Sequence, residues 1–217
     1  MISKNLKKRF YTSLLLFFLL ILVLKSNLAL TFILLIFGSL SVIEFFSITR
    51  IIFKNPFFKL ITNFIFLIYA FLFCYLFFVF IHFTNLKTII FIILLGCISS
   101  DIGGYIFGKI LKGPKLTKIS PKKTISGSIG SFIFSGIVVT FLITNITNNF
   151  TYQILIIGFI TSAFCQLGDL FFSFLKRKAK VKDYGNYLPG HGGMLDRFDG
   201  IFLGVPIGVI TFILVLQ

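Results

Sequence analysis

The run KDYGNYLPGHGGMLDRFDG, Lys182 to Gly200, holds Asp183, Asp196 and Asp199, half of the six acidic residues in the chain, together with His191, Arg197 and five glycines. The other three acids, Glu44, Asp101 and Asp169, stand singly inside long apolar runs. Converging carboxylates repel one another unless a cation holds them. Hard oxygen donors beside water suit Mg²⁺, which binds through one or two carboxylates plus the phosphates of a substrate. Lysines, His191 and the backbone of Gly192 and Gly193 would supply phosphate contacts around such a cation. Lys122, Lys123, Lys176 and Arg177 rank first among the basic residues because they adjoin the acid-bearing segments.

The elements that must position these residues are membrane helices. The chain of 217 residues is 57% apolar and only 12% charged, whereas a soluble domain carries charge on about a quarter of its residues. Apolar segments of spanning length fall at 10–24, 28–48, 57–81, 86–107, 128–146, 152–175 and 193–216, which predicts an all-α, polytopic protein with about seven transmembrane helices. The first follows MISKNLKKRF and resembles a signal peptide, but no small-residue cleavage site follows it, so it reads as a membrane helix. Cys74, Cys97 and Cys165 lie in apolar segments without metal-ligand spacing and read as packing residues, not as a disulfide. His82 lies at the outer end of its span and reads as interfacial.

Net charge is +15, yet the basic residues sit between apolar spans, so membrane topology explains them and nucleic acid is not an expected partner. Lys4, Lys7, Lys8 and Arg9 precede the first span, and only Lys25 lies between the first two. Arg50, Lys54 and Lys59 then alternate with Lys87, the lysine-rich stretch 109–123 with the uncharged NITNNFT, and Lys176 to Lys182 close the series. The positive-inside rule therefore places the N-terminus in the cytoplasm. Glu44, Asp101 and Asp169 lie far along spans entering from the outer side, about 22 to 26 Å deep at about 1.5 Å per residue. All six acids thus gather near the cytoplasmic surface.

Helical spacing aligns the chemistry. Ser162, Gln166, Asp169, Ser173, Lys176 and Arg177 recur at steps of three and four in the sixth span. Gly192, Asp196, Gly200, Gly204 and Gly208 are spaced by four at the seventh, with Asp199 one turn from Asp196. Small residues in such a row let a neighbouring helix approach, so this side faces protein. Asp101, Gly104, Tyr105 and Gly108 form a similar face on the fourth. Carboxylates inside a membrane are costly and are functional by default. Glu44 keeps two readings, a functional one and simple pairing with a nearby Lys or Arg.

SFLKRKAKVKDYGNYLPGHGGMLDRFD, Ser173 to Asp199, closely resembles the signature of the phosphatidate cytidylyltransferases, also called CDP-diacylglycerol synthases: S-x-x-K-R, K-D, P-G-H-G-G, then D-R-x-D. QLGDLFFS, SDIGGYIFGK and ISPKKTISGSIG resemble the family's other segments, so the likeness covers residues 97 to 204. The N-terminal half matches in hydropathy, and at Glu44-Phe45. The chain is shorter than many members, which implies one or two fewer N-terminal helices, and Ser126 stands where many members carry Glu or Gln.

The resemblance implies transfer of CMP from CTP to phosphatidic acid, giving CDP-diacylglycerol and pyrophosphate, with Asp169 and Asp196 holding the divalent cation. Asp199 would be a ligand or an orienting group, and Asp101 would serve a second cation or orient a base. Lys122, Lys123, Lys176, Arg177, His191 and Arg197 would bind phosphates, and the signature positions Ser173, Lys182, Asp183, Gly192 and Gly193 complete the expected substrate contacts. The expected partners are CTP, phosphatidic acid and the surrounding lipids, with room for a homodimer. Residues 1–85 would form N-terminal membrane helices and 86–217 the catalytic region of one integrated membrane domain, in the cell membrane with the active site facing the cytoplasm. A cation transporter would instead place its acids near the midplane, beside broken helices. A CTP-dependent lipid kinase would not require D-R-x-D after H-G-G. The D-G-x-x-A-R motif of the CDP-alcohol phosphotransferases is absent.

Overall fold

The structure is a computed structural model. It describes residues 14, 18–19, 21–185, 187 and 192–215, without the side chains of Thr84 and Asn85. His191, the basic N-terminal residues and the start of the first span lie outside the described residues. Residues 14 and 18–19 are helical, as are residues 21–25, taken as α1. The helices that follow are α2 (Asn27–Ile52), α3 (Pro56–His82), α4 (Thr84–Leu111), α5 (Ile125–Thr147), α6 (Tyr152–Lys178) and α7 (Leu195–Val215). Among the described residues no strand forms, and one antiparallel bridge joins Lys115 to Thr124. Each helix from α2 to α7 is long and apolar enough to cross a membrane, as the sequence predicts.

Local chemistry sets several of the ends. Ser26 accepts the N–H of Ala29 at 3.3 Å and caps α2, Asn55 accepts that of Phe57 at 2.9 Å beside Pro56 at the first position of α3, and Thr124 accepts that of Gly127 at 3.1 Å to start α5. α6 ends with Lys180 at φ 58°, Val181 donating to the Lys176 carbonyl at 3.0 Å and Lys180 to that of Arg177 at 3.1 Å. This is a Schellman closure, which satisfies the carbonyls a helix end leaves open.

The chain divides into two compact units. The first runs to Ile81 and includes Leu175–Phe198. Within it α2 and α3 form a hairpin. Phe45 stacks on Phe66 with centroids 3.8 Å apart, Thr49 donates to Asn63 at 2.6 Å, and the Cys74 thiol reaches the Leu34 carbonyl at 3.7 Å.

The second unit comprises His82–Phe174 and Asp199–Gln217, and small residues dominate its packing. A Cβ on Gly103 of α4 would lie 2.5 Å from the Gly130 carbonyl of α5. One on Gly168 of α6 would lie 2.5 Å from the carbonyl of Asp199, and one on Gly204 of α7 would lie 2.7 Å from the Cys97 sulfur. Ser100 and Ser162 share a hydrogen bond of 2.8 Å, and Ser135 donates to the Gly158 carbonyl at 3.0 Å. Between membrane helices such close backbone approach and polar contact replace the hydrophobic drive available in water. The glycine row of α7 faces protein, as its spacing predicts. On α4, Gly104 and Gly108 meet α5, whereas Tyr105 is 68% exposed and lies under the Lys109 ammonium. All three cysteines are free, and Cys97 and Cys165 are buried as packing residues.

Candidate active site

In the second unit the polar stripe of α6 is paired residue by residue. Gln166 accepts from Ser128 at 2.6 Å and donates to Ser162 at 3.2 Å. One turn on, Asp169 accepts from Ser173 at 3.1 Å and forms an ion pair with Lys123. Asp101 of α4 is exposed, close enough to feel the charges of both Asp169 and Lys123. Lys123 is delivered by the segment between α4 and α5, which closes on itself. Leu116 donates to the Lys123 carbonyl at 2.8 Å and Ile125 to that of Pro114 at 2.9 Å. Ser126 keeps a polar contact of its own, accepting the N–H of Gly113 at 3.3 Å. Asp199 is half-buried, and its carboxylate accepts the N–H of Gly200 at 2.9 Å.

In the first unit Asp196 is the hub. One carboxylate oxygen accepts from the Lys176 ammonium at 2.8 Å, the other from the backbone N–H of Tyr184 at 2.8 Å and of Gly193 at 3.0 Å. The Lys176 and Asp196 side chains are only 14% and 8% exposed, and the same ammonium stands 5.3 Å over the ring of buried Tyr184. Gly192 has φ +85°, a left-handed conformation that favours glycine, and a Cβ there would meet Asp196 at 3.2 Å and Asp183 at 3.5 Å. An open cavity of about 380 Å³ is lined by Ile43, Glu44, Ser47, Tyr184, Gly185 and Tyr187.

The expected site residues therefore appear as two groups, Asp101, Lys123, Asp169 and Ser173 in one unit and Lys176, Asp183, Gly192, Gly193 and Asp196 in the other. Lys122, Arg177, Lys182 and Arg197 are exposed. Sequence reasoning missed Tyr184, whose signal is an aromatic residue inside an otherwise polar run, and left Glu44 undecided. Glu44 is 2% exposed and takes part in neither the Lys123–Asp169 nor the Lys176–Asp196 ion pair. Its carboxylate accepts two backbone N–H groups instead, Met194 at 2.9 Å and Leu195 at 2.7 Å.

The donor chemistry suits one class of cation. Among the described residues no three His, Cys, Asp or Glu side chains converge, so a closed protein cage of the zinc type has no ligands there. One or two carboxylates beside lysines fit Mg²⁺, which completes its shell with water and substrate phosphates.

Comparison with known proteins agrees with the sequence signature. A phosphatidate cytidylyltransferase of Rickettsia bellii is 47% identical over 117 residues, 50% of this chain and 51% of that protein. Namesakes from Staphylococcus saprophyticus and Bacillus subtilis are 46% and 45% identical over 110 and 111 residues, 50% of this chain and 42% and 41% of theirs. The chain spans about half the length, or less, of these curated relatives. The model of the cytidylyltransferase family matches residues 4–215, through every helix from α2 to α7, and on that match this polytopic membrane protein belongs to the cytidylyltransferase family.

Proposed function

We propose that the chain transfers CMP from CTP to phosphatidic acid, releasing pyrophosphate, at the cytoplasmic face of the cell membrane. The observation that carries this reading is that each unit holds an acid–lysine pair at signature positions, Asp169 with Lys123 in one and Asp196 with Lys176 in the other, within a chain that belongs to the cytidylyltransferase family. Residues 86–217 would carry the catalytic region.

In this reading Asp169 and Asp196 would hold Mg²⁺, which when bound would supply charge neutralisation on the triphosphate. Lys123 and Lys176, each held beside an acid, grip phosphate oxygens, and the exposed Lys122, Arg177, Lys182 and Arg197 widen the basic surface that draws CTP from the cytosol. Asp199 orients the ligand set, and Asp101 orients a base or serves a second cation. The second pKa of a phosphomonoester is about 6, so the lipid phosphate is mostly dianionic at neutral pH and needs no general base. A phosphatidate oxygen attacks the α-phosphorus of CTP, the bond from that phosphorus to the α–β bridging oxygen breaks, and pyrophosphate leaves with the electron pair. Catalysis is then positioning plus charge stabilisation.

The test follows the phosphorus. With purified protein, Mg²⁺ and phosphatidic acid in detergent, radioactivity from α-labelled CTP enters the lipid, and radioactivity from γ-labelled CTP leaves as pyrophosphate. Lipid labelled only from the γ position would make the protein a lipid kinase and overturn the proposal.

A further inference from the structure

We propose that Glu44, which stands outside the C-terminal signature, is a positioning residue for this reaction: from α2 it clasps the first turn of α7 and so holds Asp196 in place. The inference rests on the cytidylyl-transfer reading above. The first N–H groups of a helix need acceptors, normally from a local Ser, Thr, Asp or Asn. The residues that precede Leu195 are Gly192, Gly193 and Met194, none of which has a side-chain oxygen. The cap comes from about 150 residues away instead, each oxygen of the Glu44 carboxylate taking one of two consecutive N–H groups, at 2.9 and 2.7 Å.

The surroundings are built for that carboxylate. A Cβ on Gly185 would lie 2.6 Å from Oε1 of Glu44, and one on Gly193 would lie 2.6 and 2.7 Å from its two oxygens. Ser47 donates to the Glu44 carbonyl at 2.6 Å, and neighbouring Phe45 is pinned on Phe66. Gly193 also donates its N–H to Asp196. The segment 193–196 is thus gripped by two carboxylates at once, Glu44 at Met194 and Leu195, Asp196 at Gly193. An acceptor with two equivalent oxygens is required, because an amide offers one oxygen and turns its NH₂ toward the other backbone donor.

The test is Glu44→Gln in the full chain, read in two ways. Deuterium uptake of the peptide covering 193–198 reports the clasp without any turnover. The Mg²⁺ concentration for half-maximal α-label transfer, with the KM for CTP, reports the placement of Asp196. Loss of groups that orient metal ligands typically weakens affinity by about 10- to 100-fold, so the half-saturating Mg²⁺ should rise by about tenfold or more while uptake at 193–198 rises. A purely structural role would lower the amount of active protein and leave both half-saturation values at wild type. Unchanged uptake overturns the clasp, and raised uptake with wild-type half-saturation and KM overturns the positioning role. If Glu44→Gln cannot be recovered, Gly185→Ala, which keeps the charge but drives a methyl against Oε1, must show the same pair of changes, and wild-type behaviour in it overturns the proposal. A wild-type protein that transfers no α label overturns the activity reading instead, and the deuterium comparison still decides the clasp.

Discussion

At the scale of single residues, the two acid–lysine pairs have the same composition but different surroundings, and their variants should differ accordingly. Lys123 and Asp169 are each 26% exposed, so Lys123→Met should cost at most about 1 kcal/mol of stability, the range of solvent-screened pairs. Lys176 and Asp196 are far less exposed, and Lys176→Met leaves a nearly buried carboxylate without its cation, at a cost on the order of 3 kcal/mol. Unfolding in detergent should therefore separate the two variants although both lose α-label transfer. Asp169→Asn and Asp196→Asn should each reduce transfer on the order of a hundred- to a thousand-fold, the scale of a lost charge-stabilising group, with the protein still inserted. Asp199→Asn should lose less. Near-wild-type turnover of Asp196→Asn at saturating Mg²⁺ would contradict the assignment of this carboxylate. The residue types were legible in the sequence, because acids in apolar spans are costly enough to need a reason. Their individual partners were not, since Lys123 lies 46 positions before Asp169 and no local spacing links them.

At the scale of elements, α6 and α7 are positioned by the absence of side chains. The glycine row of α7 could be read from its period of four, and it faces protein as expected. Which atoms it meets depends on depth and rotation: Gly200 faces the Cys165 sulfur, and Gly208 faces Thr161 and Ile93. Gly168, outside that row, lies so close to the carbonyl of Asp199 that a Cβ there would stand only 2.5 Å from its oxygen. Gly168→Ala should force the helices apart at the residue that carries Asp199, costing about 1–3 kcal/mol, as overpacking does. Thermal unfolding in detergent checks this, and a Tm equal to wild type would show that the contact is slack. The start of α7 illustrates the limit of local signals. Its cap could not be found by scanning neighbours, because the glycines that make room for Glu44 remove every local candidate.

At the scale of the whole molecule, charge alternation predicts which loops face the cytoplasm. In a variant without Cys74, Cys97 and Cys165, a cysteine at Asn148 should react with an impermeant reagent added outside the cell, and cysteines at Lys54 or Lys180 should not. External labelling at Lys180 would move the proposed site to the wrong side of the membrane. The membrane class, the six long spans from α2 to α7 and the family were all determined by the sequence itself, because the bilayer demands about 20 apolar residues per crossing and the signature lies within one short stretch. Only the tertiary structure decided that Glu44 caps α7, that Asp196 receives a lysine and two backbone donors, and that Tyr184 is buried beneath Lys176. The reason is physical. Hydropathy and helical period depend on residues close in sequence, whereas a buried carboxylate accepts whichever donors the packed helices bring to it, however far away in the chain they begin.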